Sequence, residues 1–146
     1  MKLLLMVIAL VEGVTGAALF AMPRVTVSYL LNTPLDTPAG VVAGRLAGAA
    51  LISLAVACWQ ARNGERSGVA RAIVVAMLFY NEAAAVILVY ASLRLSLQSI
   101  FIWPVFLVHE ALAAWCIVNL WVTQRRSLKA GNSKEDVEAL QTEEGV

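Results

Sequence analysis

The sequence predicts an all-α, polytopic membrane protein built as a four-transmembrane-helix bundle, and three observations support this prediction. Of the 146 residues, 60% are hydrophobic and only 14% are charged, whereas a soluble domain carries about a quarter charged residues. Four apolar stretches, at about 3–22, 40–61, 69–92 and 100–123, reach the ~20 residues that a helix needs to cross a bilayer. The second stretch also carries regularly spaced glycines, which are typical of packed membrane helices.

The first stretch, residues 3–22, has two interpretations. Lys2, the apolar run and the small residues that follow resemble a secretory signal peptide. We favour a retained first helix, because the apolar run is long for a signal core, Glu12 lies in its middle, and further spans follow. Pro23 is predicted to end this helix, since proline cannot continue one.

The longest internal connection leads into the second helix. Residues 24–32 are partly apolar and are predicted to lie along the membrane surface. Thr37 and Pro38 are typical of an N-cap and the first helical position, so we expect the second helix to begin there.

A stripe of small residues is predicted along one side of the second helix. Gly40, Gly44 and Gly48 recur every four residues, so they share one helix face. Small residues let membrane helices approach backbone to backbone. The stripe is therefore predicted to be a packing surface, and whether it packs within the chain or against a second copy is open.

The second half of the chain contains the two remaining predicted spans. Ser67 is predicted to cap the third helix, and Pro104 falls near the start of the fourth, where a missing N–H costs little. We therefore divide the chain into a four-helix transmembrane domain, residues 1–124, and a flexible polar cytoplasmic tail, residues 125–146.

The distribution of basic residues predicts that both termini lie in the cytoplasm, an N-in/C-in topology. One side of the predicted bundle carries Lys2, Arg62, Arg66, Arg71, Arg125, Arg126, Lys129 and Lys134, and the other carries only Arg24, Arg94 and, just inside, Arg45. Lysine and arginine accumulate on the cytoplasmic side of membrane proteins. Trp59 and Trp121 are expected to mark the same interface, where tryptophan is enriched.

Ionisable residues in the middle of the spans define a candidate site. Glu12, Glu82 and His109 are each roughly 15 Å from the same end of their helices at 1.5 Å per residue. An ionisable side chain at a helix centre costs ~3 kcal/mol to insert, so we expect most of them to face inward and pair. The candidate binding residues are Glu12, Arg45, Asn81, Glu82, His109 and Glu110.

Neighbouring residues predict which faces point inward. Glu12 shares its face with Gly16, and Glu82 is predicted to share an inward face with Leu78, Asn81 flanking it. Because His109 and Glu110 are adjacent, they diverge by about 100° on a helix. Only one of those two side chains is expected to reach the centre.

Several interpretations of this polar centre stay open. Glu12, Arg45 and Glu82 form either a clamp between helices or a site that binds a ligand or handles protons, and a metal site of Glu12, Glu82 and His109 is the weakest alternative. The single histidine excludes the two axial histidines of a b-type cytochrome. Cys58 and Cys116 have no CxxC spacing and are expected to be buried thiols. No cofactor is predicted.

Helices one and two also carry a family resemblance. Val11-Glu12-Gly13, Pro23, residues 44–51 and residues 57–62 resemble small bacterial four-helix membrane proteins of the DoxX-like type. The resemblance implies the same fold and a location in the bacterial inner (cytoplasmic) membrane. DoxX itself is associated with thiol and quinone redox systems, so the resemblance also implies a quinone partner.

Two classes of function follow from the sequence. The first is a non-enzymatic structural or small-ligand-binding bundle with a buried polar centre. The second is a small membrane oxidoreductase or transporter component that relays protons or contacts quinone through Glu12, Glu82 and His109. The expected partners are the lipid bilayer, a quinone or small apolar ligand, and a second copy of the chain. A net charge of +1 gives no signal for nucleic acid.

Overall fold

The computed structural model describes the backbone of residues 1–64 and 68–144, and the side chains of residues 1–64 and 68–126. These residues form helices and no strands, in the order α1 (Lys2–Ala21), α2 (Pro23–Leu31), α3 (Pro38–Ala61), α4 (Gly68–Arg94) and α5 (Ile102–Glu144). Four helices are long and apolar enough to cross a membrane, with Ile102–Arg126 as the spanning part of α5. The predicted all-α bundle of four membrane helices is therefore confirmed.

Local sequence signals explain where several helices begin and end. Thr37 caps α3, its side-chain oxygen accepting a hydrogen bond from the Gly40 N–H at 3.1 Å, and Pro38 follows as the first helical residue. The segment predicted to lie along the membrane folds as α2, which ends at Asn32 in the left-handed conformation, with φ of 51°. The fourth span begins slightly later than predicted, at Ile102.

Two predictions fall on residues that the structure does not describe, or describes only for the backbone. Ser67, the predicted cap of α4, is one of the residues that the structure does not describe. The backbone of α5 continues to Glu144, but its side chains are described only as far as residue 126. The flexible tail at 125–146 therefore stays a prediction.

The outer surface of the bundle is apolar on all four spans. Leu10, Leu46, Phe79 and Leu107 are each more than 60% exposed, an arrangement that suits lipid and not water. At one end of the bundle, Arg62 stacks over the ring of Trp59, and Arg125 over the ring of Trp121, each at 3.8 Å. Such arginine–tryptophan pairs are suited to a membrane–water interface.

Helices α1 and α3 form the closest pair, because two glycines allow their backbones to meet. A Cβ added to Gly48 would lie 2.5 Å from the Phe20 nitrogen, and one added to Gly16 would lie 2.8 Å from the Gly48 carbonyl oxygen. The other stripe residues face different neighbours: a Cβ on Gly44 would lie 3.0 Å from Cβ of Pro23, and one on Gly40 would meet Leu35. Gly48 alone of the three therefore faces α1.

Helices α4 and α5 form the second pair, and an apolar core joins the two pairs near one end. This core contains Leu4, Leu5, Ile8, Ala9, Cys58, Ala61, Ala70, Val74, Met77, Leu112 and Cys116. Its members come from the beginning of α1 and α4, the end of α3 and the second half of the α5 span, at what we call the terminal end. The opposite end, where α1 is followed by α2, is called the α2 end.

The contact between α1 and α3 generates a stability prediction. Gly48→Ala places a methyl group against backbone atoms of α1. Backbone atoms cannot rotate out of the way as a side chain can, so the helices must separate. We expect a loss of about 1–3 kcal/mol, as for other overpacked contacts, measured as a lower thermal unfolding midpoint in detergent micelles. Gly13→Ala is the matched control, because its Cβ would make an ordinary 3.6 Å contact with Ala55. Equal midpoints for the two variants would contradict the backbone contact.

Candidate functional site

A cavity of about 420 Å³ lies between α1, α2, α4 and α5 on the α2 side of the bundle. Most of its wall is apolar and includes Val25, Leu30, Val105 and Val108. Glu12, Tyr80 and His109 line it as well, each from a different helix. We call it the Glu12 cavity. Tyr29, Phe101 and Val108 also line it and are exposed on the outside of the bundle, so the cavity opens to the surroundings there.

Glu12 is the most enclosed polar group of the cavity. The side chain is 1% exposed, and its carboxyl group lies close enough to the phenol of Tyr80 on α4 for the two groups to interact. The second carboxyl oxygen, Oε1, is buried and has no hydrogen-bond partner among the described residues. A buried polar atom without a partner is costly and therefore rare. Because Glu12 lines the cavity, a molecule bound there can supply the missing partner once the carboxyl group turns toward it.

Asn81 and His109 form the second polar contact at this level. Asn81 is 0% exposed, and its amide Nδ2 donates to the Met77 carbonyl at 2.7 Å. That bond leaves Oδ1 of Asn81 to face Nδ1 of His109 at 2.8 Å. Because Oδ1 only accepts, Nδ1 of His109 carries a proton, and Nε2 is an acceptor when the ring is neutral.

Tyr80 stands between these two groups. Its hydroxyl reaches Glu12, and its ring meets the His109 ring edge to face, with centroids 5.9 Å apart. The cavity therefore presents a carboxyl group and an imidazole on either side of one tyrosine. Such a wall orients a ligand through one or two hydrogen bonds while apolar contacts hold the rest of it.

The connection between α4 and α5 secures α2 beside the cavity. Ser99 donates its hydroxyl to the Tyr29 carbonyl at 2.8 Å, and its oxygen accepts from the Phe101 N–H at 3.2 Å. The rings of Tyr29 and Phe101 meet edge to face with centroids 6.5 Å apart. These contacts place the C-terminal part of α2 against the start of α5.

The structure brings together Glu12 and His109 but not Glu82. Glu82 is exposed on the outside of α4, so the expectation that it faces inward is wrong. The buried face of α4 instead runs through Met77, Asn81 and Ala85. Asn81 turns inward because it bonds His109, and the next residue is thereby rotated by about 100° toward the outside.

Arg45 and Glu110 also lie outside the Glu12 cavity. Arg45 is exposed and lines a different cavity at the start of α2. Glu110 is half-buried and diverges from His109, which is the member of that adjacent pair that reaches the centre. The clamp of Glu12, Arg45 and Glu82 is therefore not assembled.

The proposed metal-ligand set is not assembled either. Among the described residues, no three histidine, cysteine or carboxylate side chains come close enough to hold a metal ion. The reason is the rotation of α4 that carries Glu82 away from Glu12 and His109.

Tyr80 is the site residue that the sequence analysis missed. A signal for it is present, because it precedes Asn81 in the middle of a span, where a phenol needs a hydrogen-bond partner.

Comparisons of the chain with protein-family models, with curated proteins and with solved structures find no match. The interpretation of the site therefore depends on its own geometry.

The Asn81–His109 contact predicts one tautomer of the imidazole. His109 is the only histidine in the chain, so ¹⁵N-histidine labelling reports on this ring alone. At pH 8 in detergent micelles, we expect Nδ1 to be protonated and Nε2 to be unprotonated. Asn81→Leu removes the acceptor and should shift the tautomer population, whereas Glu82→Gln should leave it unchanged. A protonated Nε2 with a bare Nδ1 in the unmodified protein would contradict the arrangement.

Proposed function

We propose that the protein binds a small, mainly apolar molecule within the membrane, in the Glu12 cavity. The unpartnered Oε1 of Glu12 supports this proposal most strongly. A helix clamp alone gives no reason for a buried carboxyl oxygen without a partner in a residue that lines an apolar cavity. A ligand with a hydrogen-bonding group supplies that partner.

The polar groups indicate the chemistry of the ligand. Nε2 of neutral His109 accepts a hydrogen bond, so it suits a hydroxyl or amine on the ligand. Glu12 accepts when ionised and donates when protonated, so it suits either a donor or a carbonyl oxygen. The apolar wall formed by Val25, Leu30, Val105 and Val108 suits the remainder of the molecule. A quinone or quinol meets these requirements and is one candidate.

The size and the access of the cavity fit this use. A volume of about 420 Å³ lies within the range of ~300–1,000 Å³ that is usual for small-molecule sites. Of its exposed lining residues, Tyr29 belongs to α2, Val108 belongs to α5 and Phe101 immediately precedes α5, so an apolar molecule enters sideways from the lipid. A bilayer-soluble ligand therefore needs no aqueous path.

Closure at the terminal end favours binding over proton transport. Leu5, Ile8, Met77 and Cys116 are all fully buried in the apolar core between Glu12 and that end of the bundle. A chain of proton carriers across the membrane would have to cross this apolar layer. Of the relay residues Glu12, Glu82 and His109, Glu82 lies outside the cavity. Glu12 and His109 both lie on the α2 side of the apolar layer.

Our proposals for the family, the membrane and the topology of the protein are based on its sequence. The resemblance of helices one and two supports a DoxX-like protein of the bacterial inner membrane, and the basic residues at the terminal end support N-in/C-in topology. A second copy of the chain stays a candidate partner. Glu82 supports it, because an exposed carboxyl group at mid-span is costly in lipid.

The binding proposal predicts a ligand that depends on Glu12. The unmodified protein, extracted from bacterial membranes in a mild detergent, should carry a specific apolar molecule that is detected by mass spectrometry of an organic extract. Glu12→Gln should lower its occupancy about tenfold, which corresponds to one charge-assisted hydrogen bond of ~1.5 kcal/mol. Glu82→Gln is the matched control, since that carboxyl group lies outside the cavity, and it should retain the molecule.

A second pair of variants separates filling of the cavity from loss of charge. Val105→Phe fills the cavity and leaves every polar group in place, so it should also remove the molecule. Leu107→Phe adds the same ring on an exposed face of α5 and should not. The binding proposal would be contradicted if the unmodified protein carried no enriched molecule. It would also be contradicted if both Glu12→Gln and Val105→Phe retained the molecule.

The apolar core also predicts the behaviour of reconstituted protein. Liposomes that contain the protein should hold an imposed pH gradient as long as protein-free liposomes do, followed with a trapped pH-sensitive dye and with valinomycin present. The physical reason is the layer of fully buried apolar side chains, such as Leu5, Ile8 and Met77, between Glu12 and the terminal end. A faster decay that Glu12→Gln abolishes would instead support the proton-relay function.

A further inference from the structure

A second cavity, of about 400 Å³, lies where α1 passes into α2 beside α3. Two arginines line it, Arg24 on α2 and Arg45 on α3, and none of its lining residues is acidic. We call it the Arg24–Arg45 cavity. It is distinct from the Glu12 cavity, with which it shares only Val25.

A close helix contact explains why the two arginines meet. Pro23 is buried, and a Cβ added to Gly44 would lie 3.0 Å from Cβ of Pro23. The start of α2 thus rests on α3 at a residue without a side chain. Arg24 and Arg45 are the next residues in each helix, so this contact carries both of them to the same cavity.

The charged side chains that line the cavity are all positive. Arg24 and Arg45 are both exposed, and no carboxylate among the lining residues offsets their positive charge. The first turn of α2 also borders the cavity, and its N-cap residue, Met22, makes no side-chain hydrogen bond to that turn. The C-terminal end of α1 borders the cavity as well, so the partial charges of the two helix ends oppose each other and the positive potential comes from the arginines.

We propose that the Arg24–Arg45 cavity binds a phosphate group. Arginine pairs with phosphate through two parallel hydrogen bonds, and one phosphate between two guanidinium groups offsets their positive charge. Arg24 lies just beyond the end of the α1 span, and Arg45 lies two turns into α3 with a stem long enough to reach the same level. That level is where lipid headgroups lie, so the phosphate belongs to an anionic phospholipid or to a free phosphate ion.

Native mass spectrometry with defined lipids tests this proposal and distinguishes the two sources. In detergent micelles, phosphatidylglycerol should bind about tenfold more tightly than phosphatidylcholine with the same acyl chains. Arg24→Gln and Arg45→Gln should each lower the affinity for phosphatidylglycerol about fivefold, the effect expected of one basic residue near an anionic lipid. Arg94→Gln is the matched control, because Arg94 is exposed at the same end of the bundle and does not line the cavity.

A parallel arm uses inorganic phosphate against chloride at equal ionic strength, with the thermal unfolding midpoint as the readout. If phosphate raises the unfolding midpoint of the unmodified protein but not of either arginine variant, the free phosphate ion is the ligand. Preference for phosphatidylglycerol without that stabilisation would identify the lipid. Unchanged binding in the double variant Arg24→Gln/Arg45→Gln, or an equal loss in Arg94→Gln, would overturn the site. Thermal midpoints of the variants in micelles without added lipid establish that each one is folded.

Discussion

The buried contact of Glu12 on α1 with Tyr80 on α4 is the constraint on which the polar centre of the bundle depends. The helices pack as two pairs, α1 with α3 and α4 with α5, and direct backbone approach between the pairs is sparse. At the terminal end an apolar core joins them. Toward the α2 end, the contact of Glu12 with Tyr80 in the middle of the membrane joins the two pairs, and the Ser99–Tyr29 hydrogen bond ties the α4–α5 connection to α2.

This arrangement makes the two halves of the bundle chemically different. The half at the terminal end is filled with close-packed apolar side chains such as Leu5, Ile8 and Met77. The other half keeps a cavity because α2 lies beside the gap between the pairs without filling it. A site that is apolar, open to lipid and closed toward one end is suited to holding a membrane-soluble molecule, and it is poorly suited to passing ions.

Helix α2 contributes to both cavities. It has only nine residues, yet its Val25 lines the Glu12 cavity and the Arg24–Arg45 cavity. Its start rests on Gly44 of α3, and its end is held by Ser99 from the connection before α5. A short helix that is held at both ends therefore forms part of the wall of two cavities with opposite chemistry, one apolar with a carboxyl group and one basic.

The sequence by itself determined the helices, their approximate ends and the depth of their polar groups. Apolar length defines a span, Thr37 and Pro38 define the start of α3, and residue counting places Glu12 and His109 at one level, since each of these signals is local. The tertiary structure decided which way each helix faces. In lipid, a helix that is apolar all round has no preferred buried side, so the inward position of Asn81, the outward position of Glu82 and the role of Tyr80 follow from polar contacts with other helices.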